Sequence, residues 1–448
     1  MDMSPFIAYE ISRKMKKMKK CCNTNKVDTE EPSLEQSSAE KIGWKSFLLL
    51  LILSFVFLGQ SRACTSVIVS GKVTRDGRPL LFKNRDTPNV DNLSLLVQGE
   101  KYKYLAIVRA DNLEPGTAWG GHNETGFAII NTAAFNLNGP DEKDSPNDGL
   151  LMGRALEICS TLEDFEQFLD TLSRPMGVNS NFGAIDAKGG CAYYETGNEK
   201  YTKFDANDPK VAPDGYLIRT NYAFTGDRSL DQGIERFMAI TEFMQQADYT
   251  GNITCEHLLL DIPRHLKHGL TKMDLYDFIP ADETQMVMFP FRDFIPRYTT
   301  SSTLLVQGIR PGENPLLTVS WTIVGSPLTT VAIPLCITSS GKLPSVVTSG
   351  KDGGSKLCRM GLELKKNLFP PTRSRSKGDY INLSKLMNKS GTGMLQKILP
   401  IEKEIMIRGN RALDKIREQG ESRNEMDDYY LWVDQYIIES YQKIFGLN

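Results

Sequence analysis

Histidine is scarce in this chain, with four in 448 residues, at positions 122, 257, 265 and 268. None falls in a His-Glu-x-x-His or Cys-x-x-Cys zinc pattern, so no metal site is expected and no imidazole stands out as a catalytic base. His122 reads as a turn or packing residue, and His265 and His268 as one exposed face of a helix. Net charge is nearly absent too: 53 Lys and Arg against 55 Asp and Glu leave −2. That removes any overall electrostatic case for nucleic-acid binding. No G-x-S-x-G elbow, Walker loop or internal repeat is present, and the Gly-rich stretch 350–356 reads as a surface loop. No cofactor is expected.

The near-neutral average hides a polarised start. Residues 1–63 hold ten Lys and Arg against seven Asp and Glu, leaving 43 against 48 for the rest. The longest apolar run, residues 47–58 (FLLLLILSFVFL), falls short of the ~20 residues that span a membrane but fits the core of a signal peptide. Lys41 and Lys45 precede it, and Ser61 and Ala63 put small residues where signal peptidase reads. Cleavage after Ala63 is therefore expected, with the chain exported to the periplasm or the medium. A start at Met15 or Met18 would shorten the long basic lead.

Cleavage there makes Cys64 the first residue of the mature chain. A cysteine in that place is also how a bacterial lipoprotein begins, which would make this a lipid-anchored binding protein. Ser61 and Arg62 stand where lipoprotein signals carry a large aliphatic and a small residue, which argues against it. The two fates exclude each other, because acylation and catalysis need the same thiol.

Downstream, residues 64–73 are rich in β-branched side chains, Asp76-Gly77 is a hairpin turn, and residues 79–85 return as a second strand. A strict two-residue turn would pair Asp86 with Val67, on the face opposite Cys64. A three-residue or bulged turn would bring Asp86 and Cys64 to one face and point Arg85 to the other. Further strands are expected at 93–97, 104–109, 126–134, 182–186, 191–195 and 216–224, then at 303–307, 316–324 and 329–335. Helices are expected at 148–172 and 230–246. After about residue 344 the sequence turns basic and loop-like, then helical over 393–445, a tail suited either to packing on the core or to self-association. Two strand-rich blocks with helices between them fit an α+β domain of packed sheets, with a leader at 1–63, a main domain at 64–345 and an extension at 346–448. Cys159, Cys191, Cys255, Cys336 and Cys358 lie mostly in apolar runs and read as small core residues.

A nucleophile with no histidine beside it can still be served if it is the first residue. An α-amino group has a reference pKa of about 7.7–8.0 and can take the thiol proton itself. The handling of N-terminal threonine nucleophiles follows the same logic.

Several blocks, in order, resemble the N-terminal-nucleophile cysteine hydrolases: Cys64-Thr-Ser-Val-Ile-Val, Lys83-Asn-Arg-Asp86, Gly121-His-Asn-Glu-Thr-Gly-Phe-Ala-Ile-Ile-Asn131, Gly153-Arg-Ala-Leu-Glu-Ile-Cys-Ser-Thr-Leu-Glu-Asp164 and Arg219-Thr-Asn221. The nearest branches are the acyl-coenzyme A:6-aminopenicillanic acid acyltransferase group, the penicillin V acylase and bile acid hydrolase group, and the secreted cysteine dipeptidases. The resemblance spans about residues 64–335. It implies a four-layer αββα fold and cleavage of a linear amide through an acyl-thioester on Cys64. It implies that Asp86 holds the α-amino group, that Asn131 and Asn221 donate to the oxyanion, and that Arg236 orders the site. The family's Arg-Asn-x-Asp pattern falls on Lys83-Asn84-Arg85-Asp86, so Lys83 replaces a fork-shaped donor with a point charge. The implied partner is a small acyl-amide substrate, with the membrane met only through the leader. Transfer of the acyl group to an amine instead of water uses the same thioester.

Overall fold

The computed structural model describes residues 63–447, apart from 112, 114–115, 140–146, 351–352, 371–377 and 420–424. The expected leader, with its apolar run, lies outside the described residues.

Two antiparallel sheets face one another. In chain order the first strands are β1 (Ala63–Val69), β2 (Leu80–Asp86), β3 (Asn92–Gln98), β4 (Lys103–Arg109), β5 (Gly121–Asn123) and β6 (Ala128–Ala133). They are followed by β7 (Ser180–Ile185), β8 (Cys191–Thr196), β9 (Tyr201–Asp205) and β10 (Tyr216–Arg219). The late strands are β11 (Met288–Pro290), β12 (Thr300–Gln307), β13 (Val319–Val324), β14 (Ile333–Leu335) and β15 (Tyr380–Asn382). One sheet runs β10-β1-β2-β12-β13-β14 and the other β3-β4-β5-β6-β7-β8-β9, with β11 and β15 paired apart. The first sheet thus joins strands from both ends of the chain around β1 and β2.

Alternation along the strands builds the layers. In β1 and β2, Ile68 and Leu81 meet Ile130, Ile185 and Tyr193 of the second sheet. Val67, Val69, Leu80 and Phe82 turn instead to a large helical layer. That layer draws on α3 (Ile234–Tyr249), α4 (Cys255–Asp261), α5 (Lys356–Leu368), the one-turn α6 (Leu383–Leu386), α7 (Met394–Gln419) and α8 (Glu425–Phe445). On the far side, α1 (Asp148–Ile158) and α2 (Leu162–Thr171) cover Phe127, Phe182 and Tyr194 of the second sheet. This is the αββα arrangement.

Several expected elements are corrected by local chemistry. The single helix over 148–172 is two, because Thr161 and Asp164 form a capping box that starts a new helix. The strand over 216–224 stops at Arg219, where Asn181 and Asn136 take up the polar backbone at Thr220, Tyr222 and Ala223. His265 and His268 do not share a helix face; they pack edge-on against Phe243 and Phe294. The stretch after residue 344 is not all loop, for α5 lies within it, capped by Ser355. The tail packs on the core: Ile398, Ile405, Val433, Ile437 and Tyr441 share one apolar cluster with Phe82 and Trp321. No two of the six described cysteines are joined in a disulfide, and five of the six are buried.

Candidate active site

The first hairpin decides which side chains meet. Residues 70–79 form a longer connection than Asp76-Gly77 alone would make, and the register places Ala63 opposite Asp86, Cys64 opposite Arg85 and Ser66 opposite Lys83. Ala63 stands four residues before Val67, an even shift, so the faces do not exchange. The three-residue or bulged turn that would have brought Asp86 and Cys64 to one face is not what forms. Arg85 and Lys83 share the inner face with Cys64, whereas Asp86 takes the helical side of the sheet beside Ala63. Cys64, Lys83, Arg85, Trp119, Asn131 and Asp148 line one cleft between the sheets.

The backbone of Cys64 is held at both its N–H and its carbonyl. Its N–H donates to Asn221 Oδ1 at 2.8 Å. Arg236 Nη1 donates to the Cys64 carbonyl and, at 2.9 Å, to Thr65 Oγ1, while Nη2 donates to Asn221 Oδ1 at 2.7 Å. Arg236 is 1% exposed, so it is no solvated helix arginine. Burial, with Arg297 adding to it, lowers its pKa to about 10, still a cation near neutrality. Gly233 makes this possible: it adopts φ +83 before α3, and a Cβ there would sit 2.1 Å from Arg236 Nη2. Asn221 Nδ2 donates to the Ala133 carbonyl at 2.9 Å, which leaves its second amide hydrogen uncommitted among the described residues.

Asn131 is arranged differently. Its Nδ2 donates to Asp148 Oδ2 and Ser180 Oγ, both at 3.0 Å, and its Oδ1 accepts from Lys83 Nζ at 2.6 Å. Both amide hydrogens are therefore occupied by internal partners, and the side chain works here as a tether for Lys83. Arg85 donates to Asn92 Oδ1 and lies over the Trp119 ring at 4.4 Å.

Asp86 sits among residues with no mark in the sequence. Thr300 Oγ1 donates to its Oδ1 at 2.6 Å, and a register shift between Thr300 and Ser302 brings Thr300 opposite it. Arg297 Nε lies 3.3 Å from Oδ2, and that oxygen is buried with no hydrogen bond among the described residues. Burial pushes the carboxyl pKa up, and the charges of Arg297 and Arg236, the Thr300 bond and Lys365 oppose it. Lys365 comes from α5, is buried over the Tyr298 ring at 4.5 Å, and has its pKa lowered to about 8 by that burial. His122 is a packing residue, bonded to Ser320 Oγ through Nδ1 at 2.7 Å. Among the described residues no group of three or more His, Cys, Asp or Glu is placed to hold a metal ion.

Residues 73–271 match the model of the family described as acyl-coenzyme A:6-aminopenicillanic acid acyl-transferase. Cys64 lies just ahead of that segment. No curated protein matches the chain. Solved structures similar to it include a mutant of the conjugated bile acid hydrolase from Clostridium perfringens, 12% identical with a TM-score of 0.35, covering 61% of this chain and 92% of that one. The Caenorhabditis elegans ortholog of N-acylethanolamine-hydrolyzing acid amidase is 12% identical with a TM-score of 0.35, over 56% of this chain and 93% of that one. Penicillin V acylase from Agrobacterium tumefaciens is 9% identical with a TM-score of 0.33, over 62% and 86%.

Proposed function

Taking residues 73–271 as a segment of the acyl-coenzyme A:6-aminopenicillanic acid acyl-transferase family, we propose that this chain is an exported N-terminal cysteine amidohydrolase. It cleaves a linear C–N amide through an acyl-thioester on Cys64. The observation that carries this reading is the clamp on Cys64: Asn221 accepts from its nitrogen and Arg236 binds its carbonyl, with the thiol on the cleft face.

Removal of the leader frees the α-amino group of Cys64. That group keeps Asn221 Oδ1 as one acceptor. The loss of Ala63 also opens the position opposite Asp86, whose Oδ2 has no hydrogen bond among the described residues. The amine takes the thiol proton, and the sulfur attacks the substrate carbonyl. The Lys83 ammonium lines the same cleft as the Cys64 thiol and supplies a cation there. The uncommitted hydrogen of Asn221 Nδ2 serves the developing oxyanion, a contact worth roughly 2.7–4 kcal/mol in comparable sites. Water then releases the acid; an amine in its place would make the chain an acyltransferase.

The test uses purified chain beginning at Cys64 and a panel of N-acyl amides. Amide cleavage by the mature chain, lost in Cys64→Ser and lost again when one residue precedes Cys64, is the expected pattern. Full activity in Cys64→Ser would refute the nucleophile, and full activity in the extended form would refute the α-amino group as its base.

A further inference from the structure

Lys83 carries more than charge. It lies diagonal to Cys64 across β1 and β2, on the same face, because Cys64 pairs with Arg85 and Ser66 with Lys83. Diagonal positions are about 7–8 Å apart at the backbone, within reach of a long side chain. Lys83 is 2% exposed, yet among the described residues Nζ donates to two neutral oxygens only, Trp119 O at 2.8 Å and Asn131 Oδ1 at 2.6 Å. An ammonium has three hydrogens. Two hold Nζ in place, and the third is available in the cleft that Lys83 and Cys64 line together.

We propose that Lys83 donates the proton that the leaving amine needs as the C–N bond breaks, and recovers it from the water that hydrolyses the thioester. This rests on the amidohydrolase reading above. In acylation the α-amino group holds the thiol proton, a C–S bond forms, and the C–N bond breaks with transfer of the Lys83 proton to nitrogen. In deacylation neutral Lys83 takes a proton from the attacking water. The C–S bond then breaks, and the sulfur regains its proton from the α-ammonium. The sum is amide plus water to acid plus amine. Lys83 is placed for this because the leaving nitrogen departs into the cleft. The Cys64 nitrogen is turned to Asn221, and Asp86, which also borders the cleft, has its carboxylate engaged by Thr300 and Arg297.

The surroundings let the ammonium release its proton. Burial lowers its pKa to about 8, and Arg85 adds to the effect, while Cys64 and Asp148 oppose it. On the facing strands stand the hydroxyls of Ser66 and Tyr193, bonded to each other at 2.6 Å. A guanidinium in this place would keep its proton.

Single-turnover acylation of Cys64 by an amide and by a nitrophenyl ester of the same acyl group tests the assignment, since the ester's leaving group needs no proton. In Lys83→Arg, amide acylation is expected to fall by roughly tenfold or more beyond whatever ester acylation loses. In the unaltered chain the ratio of amide to ester rates should decline above pH ~8, and that decline should vanish in Lys83→Arg. Equal losses with both substrates, or a ratio indifferent to pH in the unaltered chain, would overturn it. The second readout stands even if the variant does not fold. Absence of any acyl adduct on Cys64 in the unaltered chain would instead refute the amidohydrolase reading itself.

Discussion

Asn221 binds the nitrogen of Cys64 through one end of its amide and reaches the cleft with the other. Asn221→Ala is expected to lower kcat by about 10²–10³ with a smaller change in KM, measured on any amide that the chain cleaves. A loss confined to KM would remove the oxyanion role. His122 makes a separate prediction, about stability. Burial lowers its pKa to about 3, so the folded chain keeps it neutral while the unfolded chain protonates it below about 6.5. The stability of the neutral form is fully present above pH ~6.5 and is lost as pH falls towards ~3, by up to about 1.4 kcal/mol per unit. In denaturant titrations His122→Gln should flatten that acid slope. At this scale the sequence showed much of the site, since Cys64, Asn221 and Arg236 each carried a local pattern. Thr300, Arg297 and Lys365 did not, because they meet Asp86 only through a strand bulge and a helix far along the chain. The face of Asp86 was left open for a similar reason: a turn dipeptide does not reveal the length of the connection around it.

Among the elements, α2 and α7 show how local signals and distant contacts share the work. The Thr161–Asp164 capping box was present in the sequence within a run that reads as one continuous helix; apolar periodicity simply carries across the break. Thr161→Ala should cost about 1 kcal/mol, visible as a lower melting temperature. On the opposite layer, Glu402 of α7 pairs with Arg264 at 2.6 Å, both almost fully buried, and accepts from the Ala332 N–H. Glu402→Ala leaves Arg264 charged and unpaired in the interior, a loss of about 3–5 kcal/mol. Chemical denaturation measures it, and a cost below ~1 kcal/mol would show that Arg264 finds another partner or water. This pair was hidden in the sequence because its partners are separated by a whole set of strands.

At the scale of the molecule, the C-terminal helices complete the layer that covers the sheet bearing Cys64. Val67 and Phe82, on the strands that carry Cys64 and Lys83, share a core with Ile405 and Tyr441. Chain ending at residue 345 should therefore expose that face and fail to give a cooperative unfolding transition. An α+β domain of packed sheets was legible from the order of strand blocks and helices, and the αββα layering from the family resemblance, whereas the closing of the first sheet by late strands was not, since pairing partners far apart leave no local trace. The account stands or falls on Cys64 as a free N-terminal nucleophile. Mass spectrometry of the mature chain, quenched during turnover of an N-acyl amide, addresses this directly. It should find an N-terminal peptide that begins at Cys64 and carries the acyl group on its thiol. Turnover with Cys64 blocked, internal or unlabelled would contradict it.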